Sequence, residues 1–331
     1  MRGLSDLFME NLQGVTAPGG LDLSCVLNWV NEDSSLCLEI RENYINIYYR
    51  GGNIMKLTEA NGSYTIYFDC KYFNSHQYSE FARGVAIRKL VDAIVGKPSI
   101  NMLDVRDWLE IVPYLKHAMD CYFGVHPHNE REFQQLMVRE NNFKGIAKGT
   151  DYFIVDIEYA NDDGRFDMIA IQWPSTSADR KIDDNVGLAF IEMKYGDGAL
   201  TGSSGIMDHI KSLGKYVSLP VKLSDLQKEI INVFNQKIDL GLIDNRNKIK
   251  GFNNEKPEFI FVFANHDPDS KILYNELQKV QMLAGALPFE LKFATSNFMG
   301  YGLYKQNIYS LDDFLKIFHK QIYSKIASEN E

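Results

Sequence analysis

Two apolar runs that carry ionised groups constrain this chain more than any other feature. Residues 165–171 read Arg-Phe-Asp-Met-Ile-Ala-Ile and, after a polar connection, residues 187–195 read Gly-Leu-Ala-Phe-Ile-Glu-Met-Lys-Tyr. Both have the length and composition of buried strands, where a charge normally has no place. Side chains alternate along a strand, so Glu192 and Lys194 project from one face, their Cα atoms about 6.6 Å apart at roughly 3.3 Å per residue. Asp167 stands near the start of the preceding run, and if the two strands are neighbours its carboxylate reaches Glu192. Two acids and a lysine on adjoining strands suit hydrolysis of a phosphodiester. The acids would hold Mg²⁺ (or Mn²⁺), a hard ion that takes a few carboxylates together with water and phosphate oxygens. The ion polarises the phosphate and acidifies a bound water, while Lys194 orients that water or balances charge.

An aspartate followed, tens of residues later, by Glu-x-Lys on a second strand resembles the PD-(D/E)xK nuclease superfamily, to which restriction endonucleases and RecB-type nucleases belong. Here the motif is Phe166-Asp167 and Glu192-Met193-Lys194, with Phe166 in place of the proline before the first acid. The resemblance covers roughly residues 129 to 300 and implies a restriction-endonuclease-like domain, a central mixed sheet flanked by helices. It implies Asp167 and Glu192 as metal ligands, Asp167, Glu192 and Lys194 as the catalytic set, and a nucleic acid, expected to be DNA, as substrate. In relatives the first core helix supplies a further acid, matched here by Glu132, and the helix after Glu-x-Lys carries substrate-fixing groups, matched by His209. Read on their own chemistry, Glu132 also suits a capping box with Asn129, and His209 a half-buried ring bonded to a neighbour. Two other readings of the same residues stand beside the nuclease. One is a non-catalytic member of the fold that binds nucleic acid or a protein; the other is an interaction protein in which Glu192 and Lys194 form only a salt bridge.

The rest of the chain sets the frame. Its 331 residues predict two domains, 1–124 and 125–331, and 45% hydrophobic with 24% charged residues is ordinary globular composition. No run approaches the roughly 20 apolar residues of a membrane span, and the first residues are no secretory signal, so a cytoplasmic location is expected. Cys25, Cys37, Cys70 and Cys121 are scattered without zinc spacing and predict packed thiols. A net charge of −9 argues against coating nucleic acid by overall attraction, though not against an enzyme with a local basic patch.

Residues 36–40, 44–50, 53–59 and 63–69 are strand-like and joined by Arg41-Glu42-Asn43, Gly51-Gly52 and Asn61-Gly62, which predicts an antiparallel meander. Such a module is a candidate surface for a homo-oligomer or a protein partner. Helices follow over 78–124, with a break or kink at Pro113, then over 129–138. His126-Pro127-His128 reads as surface loop. Residues 152–159 form the first core strand, on which Asp156 and Glu158 fit one wet side, and 174–186 a polar loop bordering a groove or mobile. Beyond the glycine-rich 196–205 come a helix with the stripe Ile206, Ile210, Leu213 and Val217, a helix over 223–243, strands at 258–264 and 290–295, a helix at 270–284 and a last helix over 311–326. The fold class expected is therefore α+β or mixed α/β.

Overall fold

The structure is a computed structural model of the whole chain. It describes residues 1–16, 20–75, 82–143, 145, 149–245, 247–265, 270–283, 287–296 and 308–317. The chain is mixed α+β and forms two compact units: Met1–Gln135 with Asn232–Ile243, and Leu136–Ile231 with Asp244–Glu331. The expected boundary at 124 thus has its counterpart at Gln135, inside a helix, and the first unit also takes in a segment from much later in the chain.

The first unit opens with helices α1 (Asp6–Leu12) and α2 (Ser24–Glu32). A four-stranded antiparallel sheet follows in sequential order, β1 (Leu36–Ile40), β2 (Tyr44–Tyr49), β3 (Gly52–Ala60) and β4 (Ser63–Tyr67). The turns explain the meander. Asn61 and Gly62 take φ of 52° and 78°, the pair of left-handed residues that matches strand twist in a two-residue hairpin. The β2–β3 turn is Arg50-Gly51, at φ 48° and 77°, whereas Gly52 already belongs to β3 and pairs with Tyr49. An arginine tolerates that conformation because its guanidinium is held from outside, by Asp120 at 2.9 Å and Glu132 at 3.0 Å.

Helices α3 (Ala82–Val95), α4 (Met102–Val125) and α5 (Asn129–Asn142) come next. Pro113 does not end α4. Val105, Trp108, Ile111, Val112, Leu115 and Met119 are all buried along the helix, and that apolar burial outweighs the roughly 3 kcal/mol a mid-helix proline costs. Asn101 and Asp104 close a capping box at its start. Residues 78–81 of the expected helical stretch lie outside the described residues. His126 stacks on Tyr122 and His128 meets the edge of Phe123, so both histidines are absorbed in aromatic contacts.

The second unit holds a five-stranded sheet in the order β5 (Tyr152–Asn161), β6 (Gly164–Gln172), β7 (Gly187–Tyr195), β8 (Glu258–Ala264) and β9 (Glu290–Ser296). The first three strands are antiparallel and the last three parallel. Between them run α6 (Ile206–Val217), α7 (Pro220–Asp239), whose last turns belong to the first unit, and α8 (Lys271–Gln281). A helical stretch at 311–317 follows; the remainder of the expected last helix lies outside the described residues, as does 284 of the expected 270–284 helix. Apolar runs such as Phe259–Ala264 have no polar side because both faces are covered, and Phe261, Phe263, Phe293 and Phe314 stack on one another.

Two expectations are corrected here. β5 has no wet side: it is buried through Ile157, Asp156 included, and its edge is closed by the Asn142 side chain, which donates to the Ile154 carbonyl at 2.7 Å and accepts from its N–H at 3.0 Å. The 174–186 segment is anchored. Arg180 lies over the rings of Phe153 and Trp173 and donates to the carbonyls of Pro174 and Thr150, while Trp173 Nε1 donates to the Asp179 carbonyl.

Candidate active site

β6 and β7 are neighbours, and their regular pairing ends at Met168–Ile191. One residue further out the ladder is replaced by a side chain: Asp167 Oδ2 accepts the Met193 N–H at 2.9 Å. Met193 is fully buried, so its amide needs such a partner, and the aspartate supplies it while standing beside the peptide that joins Glu192 to Lys194. The bend that permits this is shared by β5. Its register runs Ile157–Met168 and then Tyr159–Phe166, and Glu158, opposite Asp167, takes a left-handed φ of 52°. A second irregularity, between Ile154 and Asp156, lies a turn of the pleat away. Bulges of this kind redirect side chains and cluster next to active sites.

Glu192 and Lys194 are buried in the middle of the sheet, with side chains 5% and 4% exposed, and they form an ion pair of 2.8 Å. Lys194 Nζ also donates to the Ser204 carbonyl at 3.0 Å and lies 3.2 Å from His209 Nε2. His209 Nε2 in turn stands 3.0 Å from Glu192 Oε1. Burial, and after it the charge of Lys194, push the His209 pKa down to about 4, while a backbone hydrogen bond with Ser204 acts the other way. Protonation of the ring is thereby disfavoured, so its contact with Glu192 is not a full ion pair. The local sequence builds this cluster simply. Alternation puts Glu192 and Lys194 side by side, and the run 196–205 turns back so that Ser204 and the start of α6 meet the lysine. Gly205 is obligatory there, since a Cβ would come within 2.6 Å of the Leu200 carbonyl oxygen. The stripe Ile206, Ile210, Leu213 and Val217 packs inward as expected, and Tyr216 joins it, in contact with Phe166.

Of the residues singled out by sequence, Asp167, Glu192, Lys194 and His209 are thus brought together through β6, β7 and α6. Glu132 is placed in the first unit, where its carboxylate receives the Arg50 guanidinium. The helix begins at Asn129 itself, and the capping box with Glu132 is not formed, because Arg50 takes the carboxylate. What sequence reasoning passed over is the Ser204 carbonyl and the bend at Glu158, neither of which leaves a mark in residue type.

Among the described residues no group of three or more His, Cys, Asp or Glu is gathered closely enough to hold a metal ion. The donor set at Asp167 and Glu192 nevertheless suits Mg²⁺, which fills most of its shell with water and phosphate oxygens and needs only one or two carboxylates. Asp167 accepts from the amide of Met193, the residue next to Glu192 in sequence. Among the described residues no helix is long and apolar enough to cross a membrane. No family model, no curated protein and no solved structure matches this chain.

Proposed function

We propose that the second unit is a divalent-metal-dependent nuclease of the PD-(D/E)xK type, hydrolysing phosphodiester bonds, with DNA as the expected polymer and the cytoplasm as its place of work. The observation that carries the reading is the Asp167 carboxylate bonded to the backbone between Glu192 and Lys194, within a sheet of antiparallel and parallel strands. Asp167 and Glu192 are the residues that would hold Mg²⁺ or Mn²⁺, and the ion, when bound, supplies Lewis-acid activation of the phosphate and a more acidic water. The chain's own contribution is placement. The Met193 amide fixes one carboxylate, Lys194 fixes the other, and the lysine charge offsets the negative charge that builds on the phosphate oxygens. The four-stranded module is the candidate surface for a partner or a second copy.

One observation favours a rival. Glu192, Ser204 and His209 together match all three N–H groups of the Lys194 ammonium, as in a purely structural ion-pair cluster. Incubation with linear and circular DNA in Mg²⁺, Mn²⁺ or EDTA decides between them. The nuclease reading expects metal-dependent cleavage abolished in Asp167→Ala and Lys194→Ala. No cleavage, together with no rise in melting temperature on adding metal, would favour the structural cluster.

A further inference from the structure

The resemblance would make His209 a substrate-fixing group, but its contacts point to a different task. Its Nε2 is occupied twice, by Glu192 Oε1 at 3.0 Å and Lys194 Nζ at 3.2 Å, and both partners are at least nine-tenths buried. That nitrogen makes one full hydrogen bond at a time, accepting from Lys194 or donating to Glu192, and stands against the other partner, so the ring is seated on both. The ring also makes a hydrogen bond with the Ser204 backbone, so the side chain is held from the β7 pair on one side and the 196–205 turn on the other. Lys194, for its part, has no donor to spare: Glu192 and Ser204 take two of its three N–H groups, and the third faces the ring.

We propose that His209 is a positioning residue, whose Nε2 locks Lys194 and Glu192 to each other and does not touch the substrate phosphate. The inference rests on the nuclease reading of Asp167, Glu192 and Lys194. It gives the α6 helix a definite task, to hold the ammonium and the carboxylate at a fixed separation before substrate arrives. It also casts Lys194 as a fixed charge rather than a group that turns to orient water, because such turning would break a bond to Ser204 or His209.

The test compares wild type, His209→Gln and His209→Leu in three measurements: steady-state cleavage of linear DNA over a Mg²⁺ titration, DNA affinity in Ca²⁺, and the Mg²⁺-induced change in melting temperature. Partners one step removed from a metal typically contribute about 10–100-fold. His209→Leu is therefore expected to lower kcat by about that factor, to need more Mg²⁺ for half-maximal rate, and to show a smaller Mg²⁺-induced gain in melting temperature. Its KM and its DNA affinity in Ca²⁺ should stay as in wild type. His209→Gln, which keeps a donor and an acceptor, should recover most of kcat; its DNA affinity also decides the matter if the leucine variant does not fold. Weaker DNA binding in either variant with kcat unchanged would make His209 a substrate contact and overturn the inference alone. Wild-type protein that neither cleaves DNA nor responds to Mg²⁺ would overturn the nuclease reading and the inference with it.

Discussion

Lys237–Glu39 in the first unit and Lys194–Glu192 in the second are both buried lysine–glutamate pairs, with no side chain more than 5% exposed, yet they are built in opposite ways. Lys237 Nζ reaches both oxygens of Glu39 at 2.9 Å, and the carboxylate also receives the Cys37 thiol at 3.2 Å, with Arg41 at 3.8 Å. That cluster closes on itself and joins the end of α7 to β1 across nearly 200 positions of sequence. The Glu192 pair is local, two residues apart on one strand, and Lys194 and His209 both meet it at Oε1, with Asp167 bonded to the amide of the next residue. A buried ion pair is therefore no functional signal by itself. What separates the two is company: a second carboxylate and a histidine beside one, a thiol and a guanidinium around the other.

The sharpest break of this comparison is kinetic. Asp167→Ala and Lys194→Ala are expected to lower the cleavage rate by roughly 10²–10³-fold or more with the fold retained, as judged by circular dichroism, whereas Lys237→Ala should leave the rate per folded molecule unchanged. The converse is thermodynamic. Glu39→Ala or Lys237→Ala leaves one buried charge without its partner and should cost about 3–5 kcal/mol in urea unfolding, while replacing both by apolar residues should recover most of that loss. A smaller effect is expected at the anchored loop. Arg180→Ala removes the contacts with Phe153 and Trp173 and two bonds to carbonyls, for about 1–2 kcal/mol by the same measurement.

The smallest effect concerns acid stability in the first unit. Burial alone would raise the carboxyls of Asp33, Asp69 and Asp104, but Lys116, Lys71 and Lys97 with nearby N–H groups more than offset it, so all three lie below the ordinary carboxylate range. A carboxyl depressed by folding adds stability above its unfolded pKa of about 3.9, and that contribution is lost as pH falls through the folded value. Asp104→Asn should therefore lower stability near neutral pH and flatten its fall below about pH 4, followed by urea unfolding against pH.

Much of this was legible before any coordinates, because the patterns are local. Strand length, alternation and turn chemistry were enough for the meander and for β8, and the pairing of Glu192 with Lys194 follows from a two-residue period. The charge inside the apolar run at Arg165–Ile171 falls where β6 leaves its pairing with β7, at Asp167. What was not legible is long-range. Nothing near Glu39 announces Lys237, and nothing near Glu132 announces Arg50, because both partners come from other elements. Pro113 does not break α4 for a related reason: local propensity disfavours it in a helix, and tertiary burial overrides that preference. The wet side expected on β5 failed because both of its faces are covered through Ile157, Asp156 included, and that cover comes from elsewhere in the fold rather than from the strand's own alternation.

The claim at the centre is that Asp167 and Glu192 share a cation, and anomalous diffraction from Mn²⁺-soaked crystals tests it without assuming any substrate. The account predicts a manganese peak contacted by both carboxylates, and its loss in Asp167→Asn. Manganese bound elsewhere, with Glu192 still closed on Lys194 and His209 and no density between the two acids, would contradict it.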